Sequence, residues 1–430
     1  MWEDARQTRS TGRAALATKA ARVARAAIIA LGALAPGSAW AEGEPLLPEV
    51  RVREPQPAGF VSERRMDDAS REVTDAASLV ESAPGVHVRR LGADDSFATL
   101  SVRGTSSTEV AIYLAGIPLS GGADPTLDLS TLPLWPGARA RVYRSFSPAA
   151  LGRGSLGGVL VLDAPSLRGA ERTDAWAAVG SFGARRLRIG DVREVGGVRV
   201  STGVSASRSD DDFTYQAFDS GTTVTRQNAG HAAANGLVSI GIPVHLGDKE
   251  GALTLTTMAQ SRRQQLPGTA QSATHFARLD STRLVSGLEL SLPVASGTLL
   301  TRAWGRHEGL SGSDAAAEAV ATQAPTYSND VIVAAGASTG MRFRPADGAL
   351  VDLRLDGASE RYAPGSWQGT IVAPPSATRN QAGLALDAGT SWNALRLAAS
   401  GRIDETRDAS DDPTASCMNR FENTPRRKIE

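Results

Sequence analysis

Two glycine-rich motifs in this sequence have the spacing of nucleotide-binding or catalytic patterns. The first, Gly-Arg-Gly-Ser-Leu-Gly at residues 152–157, matches the dinucleotide fingerprint G-x-G-x-x-G. That fingerprint works only where a helix follows, because the helix N-terminus faces the pyrophosphate. Residues 158–162 read Gly-Val-Leu-Val-Leu, which predicts a strand. We therefore interpret these glycines as a tight bend and not as a nucleotide site.

The second motif, Gly-Ala-Ser-Thr-Gly at residues 336–340, matches the nucleophile-elbow pattern G-x-S-x-G. An elbow needs a following helix and a histidine oriented by a carboxylate, and Met-Arg-Phe-Arg-Pro at 341–345 cannot form that helix. The five histidines lack metal-ligand spacing. Cys417 is the only cysteine, which excludes a disulfide framework and a thiolate metal site. We predict that the protein is not an enzyme and has no cofactor.

Charge and composition narrow the class of protein further. Lysine plus arginine equals aspartate plus glutamate at 46 residues each, so no charge excess favours nucleic acid as a partner. Glycine accounts for 44 residues and aromatic residues for 5%, which favours many short strands and turns over a helical bundle. The elements that position any site are therefore expected to be mainly β-strands.

Residues 1–41 are predicted to be an N-terminal extension and a signal peptide. Arg22 and Arg25 precede an apolar run at 26–35, and Ala-Trp-Ala at 39–41 provides a cleavage site after Ala41. The apolar run is shorter than the ~20 residues of a membrane-spanning helix. The alternative is an N-terminal membrane anchor.

Residues 42–70 are predicted to be an extended peptide and flexible linker, because a short apolar and acidic hexamer lies there between prolines. A mobile extended segment of this kind can add a strand to the sheet edge of a partner. An ordinary linker is the alternative, and the local sequence leaves both open. The hexamer consists of Leu47, Pro48, Glu49, Val50, Arg51 and Val52.

Residues 71–168 are predicted to form a small mixed α/β domain. Asp75 can cap a short helix, which Pro84 and Gly85 end. Five β-rich runs separated by Gly and Pro follow, at 87–90, 98–104, 110–114, 140–144 and 158–163.

Residues 169–408 alternate apolar and polar side chains with a period of two. In Val-Asp-Leu-Arg-Leu-Asp at 351–356, one face is aliphatic and the other is charged, as expected of a strand. Eleven segments show this pattern, at 174–181, 184–192, 197–207, 235–243, 251–262, 283–293, 297–307, 329–342, 350–361, 378–388 and 393–404.

The connections between these segments alternate in length after the second one. Short connections lie at 193–196, 244–250, 294–296, 343–349 and 389–392, and long ones at 208–234, 263–282, 308–328 and 362–377. Short turns on one side and long loops on the other are typical of an outer-membrane barrel. We therefore predict transmembrane β-strands with apolar side chains toward lipid and polar side chains toward the lumen.

The order of these parts resembles that of a TonB-dependent outer-membrane receptor. Residues 75–166 are similar to the family's plug domain almost from end to end, residues 172–404 are similar to its barrel in architecture, and residues 47–52 resemble its energy-coupling box. Five elements in the family's order carry the plug similarity: LVESAPGV at 79–86, LSVRG at 100–104, YLAGIP at 113–118, DLSTLP at 128–133 and SPAALGRGSLGGV at 147–159.

The resemblance implies active uptake of a scarce nutrient complex, such as an iron–siderophore or cobalamin, across the outer membrane of a Gram-negative cell. It implies three partners: an inner-membrane TonB-type energy-coupling complex, outer-membrane lipid and a small-molecule metal-chelate ligand. Loops at the plug apices are the expected ligand site, with ordinary solvated loops as the alternative. They comprise Arg90, Leu91, Gly92, Ala93, Asp94, Asp95, Ser96 and Phe97, and Ser120, Gly121, Gly122, Ala123 and Asp124.

Three positions depart from the family's pattern. Ala115 replaces a usual Asp, Arg141 replaces an acidic residue, and Ser145 replaces a usual Gly. In the family, acidic plug residues help to seat the plug against arginines of the barrel wall. Without them, we expect Arg103 and Arg144 to dock on wall carboxylates.

Family barrels have about 22 strands, whereas eleven alternating segments are visible here and residues 409–430 break the pattern. We therefore expect a truncated or frameshifted receptor with an incomplete barrel, or a fragment whose remainder is encoded separately. Two other classes stay open: a remnant that does not transport, and a soluble periplasmic β-rich binding protein.

Overall fold

The computed structural model describes residues 61–66, 75–91, 96–122, 126–144, 151, 156–167, 170–217, 221–268, 272–294, 297–314, 316–318, 326–346, 348–365, 375–392 and 395–411. The first part is the predicted α/β domain, which we call the plug. Its elements are β1 (Val61–Arg65), α1 (Ala76–Glu81), β2 (Val86–Arg90), β3 (Ala98–Val102), β4 (Val110–Leu114), β5 (Ile117–Pro118), β6 (Arg139–Tyr143) and β7 (Gly158–Asp163).

The plug contains a five-stranded sheet in the order β1-β6-β7-β4-β5 and a separate β2–β3 hairpin. Strands β4 and β7 are parallel, and the other pairs are antiparallel. Asp75 accepts a hydrogen bond from the Ser78 N–H and caps α1, as predicted. Leu79 and Val80 of α1 are buried in the same core cluster as Leu160 of β7.

The strand predicted after the first glycine motif is confirmed. Strand β7 begins at Gly158, directly after residues 152–157, so the helix that pyrophosphate binding requires is replaced by a buried strand. The second motif, residues 336–340, lies inside a strand of the larger sheet and is followed by more strand.

Eleven strands form one antiparallel sheet, which we call the wall and which confirms the predicted barrel strands. A two-stranded hairpin, β11–β12, lies outside this sheet in a long loop. In chain order the strands are β8 (Arg172–Val179), β9 (Arg185–Val195), β10 (Val198–Ser209), β11 (Phe213–Gln216), β12 (Thr223–Arg226), β13 (His231–Leu246), β14 (Lys249–Gln265), β15 (Arg278–Val294), β16 (Gly297–Asp314), β17 (Thr326–Phe343), β18 (Ala349–Ala363), β19 (Ala377–Trp392) and β20 (Leu395–Ser410).

The aliphatic face of the wall points outward. In β18, Leu353 and Leu355 are 45% and 57% exposed, whereas Asp352 and Arg354 are 8% and 5% exposed. A soluble sandwich buries its aliphatic face instead. Exposed aliphatic and buried charged side chains are the arrangement of a transmembrane barrel strand. No helix in the described ranges is long and apolar enough to span a membrane.

The wall strands are longer than their apolar bands. The sequence pattern predicts a strand at 297–307, whereas β16 spans Gly297–Asp314 and pairs with β17 along its whole length. Backbone pairing therefore continues past the alternating region toward the long loops. On the opposite side the turns are tight, as at Gly196 and Gly197, whose positive φ angles fit a two-residue hairpin.

Two plug strands are absent from the sequence-based expectation. Strand β1 lies within residues 42–70, the predicted flexible segment, and pairs with β6 through five residue pairs. Strand β5 is only two residues long and pairs with β4. Both strands are placed by backbone pairing with a neighbouring strand. Their sequences show no apolar periodicity from which a strand could be predicted.

Candidate functional site

The plug contacts the wall through residues 116–122 and 126–136, which we call the docking segment. Strand β16 of the wall provides two arginines to it. The Arg302 Nη1 donates to the Gly116 carbonyl at 3.0 Å, and the Arg306 guanidinium donates to the carbonyls of Pro118 and Leu119. Wall arginines thus bind backbone oxygens of the plug.

Two further wall arginines contact the far end of the docking segment. The Arg262 Nη1 of β14 donates to the Ser130 carbonyl at 2.9 Å. The Arg283 Nη1 of β15 donates to the Thr131 Oγ1 at 3.2 Å. Four arginines on three neighbouring strands therefore hold the segment at both of its ends.

Wall carboxylates hold three of these arginines in place. Arg302 pairs with Glu289, and Arg283 pairs with Glu308 at 2.9 Å. Arg306 pairs with Glu360 at 2.5 Å and with Glu308 at 3.2 Å. Because each of these three cations contacts both a carboxylate and a plug oxygen, both contacts offset the cost of removing its charge from water.

Apolar contacts complete the plug–wall interface at glycines of the wall. A Cβ atom at Gly203 of β10 would lie 2.4 Å from the Trp135 Cδ1, and one at Gly287 of β15 would lie 2.6 Å from the Ile117 Cδ1. Both plug side chains are almost completely buried. The missing side chains therefore create the space into which the plug packs.

The expected docking of plug arginines on wall carboxylates differs from these contacts. The Arg144 Nη1 donates to the Pro84 carbonyl within the plug at 2.7 Å. The Arg103 N–H donates to the Gly85 carbonyl at 2.7 Å, and Arg103 has a left-handed backbone with φ of 55°. The docking role of these two arginines stays a prediction, while the contacts described above run from the wall to the plug.

The structure accounts for two of the three departures from the family's pattern. Arg141 forms two hydrogen bonds of 2.8 Å with Asp163, so its charge is neutralised inside the plug. Ala115 has a φ of 49° and Gly116 a φ of 76°. Both lie in the left-handed region, which costs a non-glycine residue such as Ala115 ~1–2 kcal/mol. Ser145 lies outside the described residues.

The first apical loop presents two apolar side chains. Leu91 and Phe97 are exposed, and the Leu91 N–H donates to the Phe97 carbonyl at 3.0 Å. Arg90 points elsewhere, since it pairs with Asp75 at 2.6 Å below the loop. Ser96 is partly exposed. Residues 92–95, predicted as ligand contacts, lie outside the described residues.

The second apical loop lies against charged side chains of the wall. A Cβ atom at Gly121 would overlap the Glu360 carboxylate, and one at Gly122 would overlap the Arg379 guanidinium. The Ser120 Oγ accepts a hydrogen bond from the Ile112 N–H at 3.1 Å. Residues 123–125 lie outside the described residues, so the predicted contacts of Ala123 and Asp124 stay predictions.

Two buried plug carboxyls have shifted pKa values of opposite sign. Burial alone would raise the pKa of Asp75, but hydrogen bonds and charge from Arg90, with hydrogen bonds from Ser78, outweigh it and lower that pKa. Burial raises the pKa of Asp128, against hydrogen bonds from the Ala98 and Ser130 N–H groups. Asp75 thus acts as an ion-pair partner as well as a helix cap.

The wall arginines contact the plug, and sequence reasoning did not single them out. Arg302 and Arg306 have the same parity in β16 as Trp304 and Glu308, so alternation assigns all four to one face. The sequence therefore indicated the face of β16 on which the arginines lie. It does not show which plug carbonyl each arginine contacts. The predicted coupling hexamer, residues 47–52, lies outside the described residues.

An α/β domain seated by arginines on the charged face of a sheet, whose other face is aliphatic, defines a plugged outer-membrane barrel. Comparison with known proteins assigns the plug to a domain family. A family model described as "TonB-dependent Receptor Plug Domain" matches residues 52–159. By this match the plug of the chain belongs to the TonB-dependent receptor plug domain family, and the fold of the chain agrees with that assignment.

Individual relatives agree with this assignment. "Vitamin B12 transporter BtuB" of Vibrio cholerae is 25% identical over 147 residues, which are 34% of this chain and 24% of that protein. "Copper transporter OprC" is similar in structure with a TM-score of 0.68 and 14% identity, over 84% of this chain and 57% of that one. Ferric citrate transporter FecA gives a TM-score of 0.65 and 13% identity, over 84% and 58%. The structural matches concern the fold, and this chain spans only part of each relative's length.

Proposed function

We propose that the chain serves in the outer membrane as a receptor for energy-coupled uptake of a scarce nutrient complex of the iron–siderophore or cobalamin kind. The observation that carries the proposal is the docking of residues 116–119 and 130–131 by wall arginines. A domain held in this way against the lumen face obstructs passage and must be displaced for a ligand to cross. The relatives that transport vitamin B12, copper and ferric citrate support the ligand class.

Ligand binding at the apical loops is the proposed trigger. The loop containing Ser120, Gly121 and Gly122 touches Glu360 and Arg379 of the wall, so a ligand at this point competes with those side chains. Leu91 and Phe97 offer an apolar contact on the other apex. Arg90 supports this loop through its ion pair with Asp75.

Residues 47–52 are the proposed attachment point for the inner-membrane energy-coupling complex. Strand addition suits a pulling step, because backbone hydrogen bonds resist a lengthwise force and need few specific side chains. A pull transmitted along the chain reaches β1 first, and β1 is joined to β6 by five residue pairs. The plug then shifts once the arginine contacts of the docking segment are broken.

Uptake of radiolabelled cobalamin and ferric chelates by cells that express the chain tests this proposal. Val50→Pro removes a backbone N–H donor and should abolish uptake while leaving ligand binding intact. Val50→Ala keeps the backbone donor and should preserve uptake. Equal uptake by cells carrying the full chain and by cells carrying a deletion of residues 46–53 would contradict the proposal and leave residues 47–52 as a linker.

A further inference from the structure

One carboxylate ties the apical hairpin of the plug, strands β2 and β3 with the first apical loop between them, to the docking segment. The Ala98 N–H at the start of β3 donates to the Asp128 Oδ1 at 2.9 Å. The same oxygen accepts hydrogen bonds from the Ser130 N–H at 3.0 Å and from the Ser130 Oγ at 2.8 Å. Three donors from two separate parts of the plug therefore meet at one carboxylate oxygen.

The apical side of this contact is a single peptide unit. The Phe97 carbonyl accepts the Leu91 N–H at 3.0 Å across the base of the loop, and the N–H of the same peptide unit is the Ala98 N–H that Asp128 accepts. A peptide unit is planar and rigid, so a displacement of its carbonyl also turns its N–H. Leu91 and Phe97 are exposed, whereas Ala98 is completely buried. A group that contacts the loop from outside can therefore move an N–H in the interior of the plug.

On the wall side, the same aspartate orients both residues that wall arginines contact. Arg262 donates to the Ser130 carbonyl, and Arg283 donates to the Thr131 Oγ1. The Thr131 Oγ1 donates in turn to the Asp128 carbonyl at 2.6 Å, and the Thr131 N–H donates to that carbonyl at 3.1 Å. The carboxylate of Asp128 thus orients Ser130 for one arginine, and its carbonyl orients Thr131 for the other.

The other strand of the apical hairpin is tied to a different part of the plug. Arg90, the last residue of β2, pairs with Asp75 at 2.6 Å, and Asp75 accepts the Ser78 N–H of α1. The two strands therefore have different attachments. Strand β2 is attached to a helix of the plug, and β3 is attached through Asp128 to the residues that the wall arginines contact.

We propose that Asp128 is a positioning residue that couples the first apical loop to the wall contacts of Ser130 and Thr131. Chains of hydrogen bonds whose members move together can carry such coupling between distant sites. A ligand that displaces the loop turns the Ala98 N–H, shifts the Asp128 carboxylate and weakens the hold of the wall arginines on the docking segment. The use of this coupling as a trigger for plug release rests on the proposed function, whereas the coupling itself does not.

A double-mutant cycle in the full chain, folded in detergent micelles, tests the coupling without a ligand. Leu91→Pro removes the N–H that holds the Phe97 carbonyl, and Leu91→Ala keeps that N–H as the matched control. With Asp128 present, Leu91→Pro should raise the rate of hydrogen exchange in residues 129–134 at least about fivefold, measured by mass spectrometry. In the Asp128→Ala chain the same change should raise it less than about twofold. Asp128→Asn keeps an oxygen acceptor and should restore the full response.

The cycle distinguishes coupling from a merely structural role of Asp128. A residue that only stabilises the plug would leave Leu91→Pro with the same fold effect in both backgrounds. Asp75→Ala breaks the other tie of the hairpin and serves as the matched control for the loss of a plug carboxylate. In that chain the response of residues 129–134 to Leu91→Pro should persist.

Coupling between two sites is reciprocal, so a second arm runs from the wall to the apex. Arg262→Met removes the wall contact of Ser130 and should accelerate exchange in residues 98–100 with Asp128 present, but not in the Asp128→Ala chain. Arg263→Met is the matched control, because the neighbouring Arg263 is exposed and pairs with Asp280 at 2.8 Å instead. This arm decides the question if Leu91→Pro prevents the plug from folding.

Equal fold effects in the two Asp128 backgrounds, in either arm, would overturn the proposal. A chain that shows the coupling but imports neither cyanocobalamin nor ferric citrate would contradict the proposed uptake and not the role of Asp128.

Discussion

Arg306 is the side chain whose removal should most directly loosen the plug. Its side chain is 2% exposed, and its partner Glu360 is 13% exposed. Arg306→Met removes the guanidinium that pairs with the buried Glu360 carboxylate and takes the donor from two plug carbonyls, a change that costs about 3–5 kcal/mol. We expect the rate of backbone hydrogen exchange in the docking segment to rise by the factor that corresponds to this loss of free energy. Mass spectrometry on the folded protein in detergent measures that rate.

Two controls separate the loss of this contact from a general effect of removing charge. Arg361 pairs with Asp411 at 3.2 Å, but both side chains are more than half exposed, so Arg361→Met should cost about 0–1 kcal/mol. Combining Arg306→Met with Glu360→Gln removes the carboxylate charge that Arg306 neutralised and should recover about 1–2 kcal/mol. The reasoning is refuted if Arg306→Met accelerates exchange no more than Arg361→Met does.

Three further substitutions test other parts of the account. Gly203→Val should overlap the Trp135 ring and unseat the plug, detected as faster proteolysis of the plug, whereas Gly236→Val, in open space, should not. Ala115→Gly relieves a left-handed backbone and should stabilise the plug by about 0.5–1 kcal/mol in denaturant unfolding; a loss of stability would contradict the strain argument. The pKa of Asp75 is lower in the folded state than its unfolded value of about 3.9, so its ion pair stabilises the plug above about pH 4. That contribution is lost as the pH falls through the folded-state pKa, and Asp75→Asn should flatten the measured acid slope.

Docking through backbone carbonyls explains how the plug tolerates unusual side chains. The wall arginines bind the carbonyls of Gly116, Pro118, Leu119 and Ser130, which any residue provides. The absence of an acidic side chain at Ala115 therefore leaves these contacts intact. What the docking requires is the path of the plug backbone and the space left by wall glycines.

Much of the fold follows from local patterns in the sequence. The eleven wall strands and five of the plug strands were predictable, because a period of two and Gly or Pro punctuation act within a few residues. The direction of the wall faces was also predictable from the alternation in 351–356. Strand β1 was not, because its pairing with β6 joins residues far apart in the chain.

The candidate sites were harder to predict for the same reason. Alternation assigns Arg302 and Arg306 to the polar face but gives no register between the wall and the plug. A cavity among the outer loops combines Asp212, Asn228 and His275 from different connections, so no single stretch of sequence carries its pattern. Contacts across the fold depend on strand register and loop path, which a single sequence does not encode locally.

The most direct measurement of the central claim is the gel mobility of the chain from outer-membrane fractions, with and without boiling. A folded barrel wall resists detergent until it is heated, so the account predicts that the chain is in this fraction and that boiling shifts its mobility. Arg361→Met should retain the shift as a control. Detection of the chain only in soluble or degraded fractions would contradict an outer-membrane receptor.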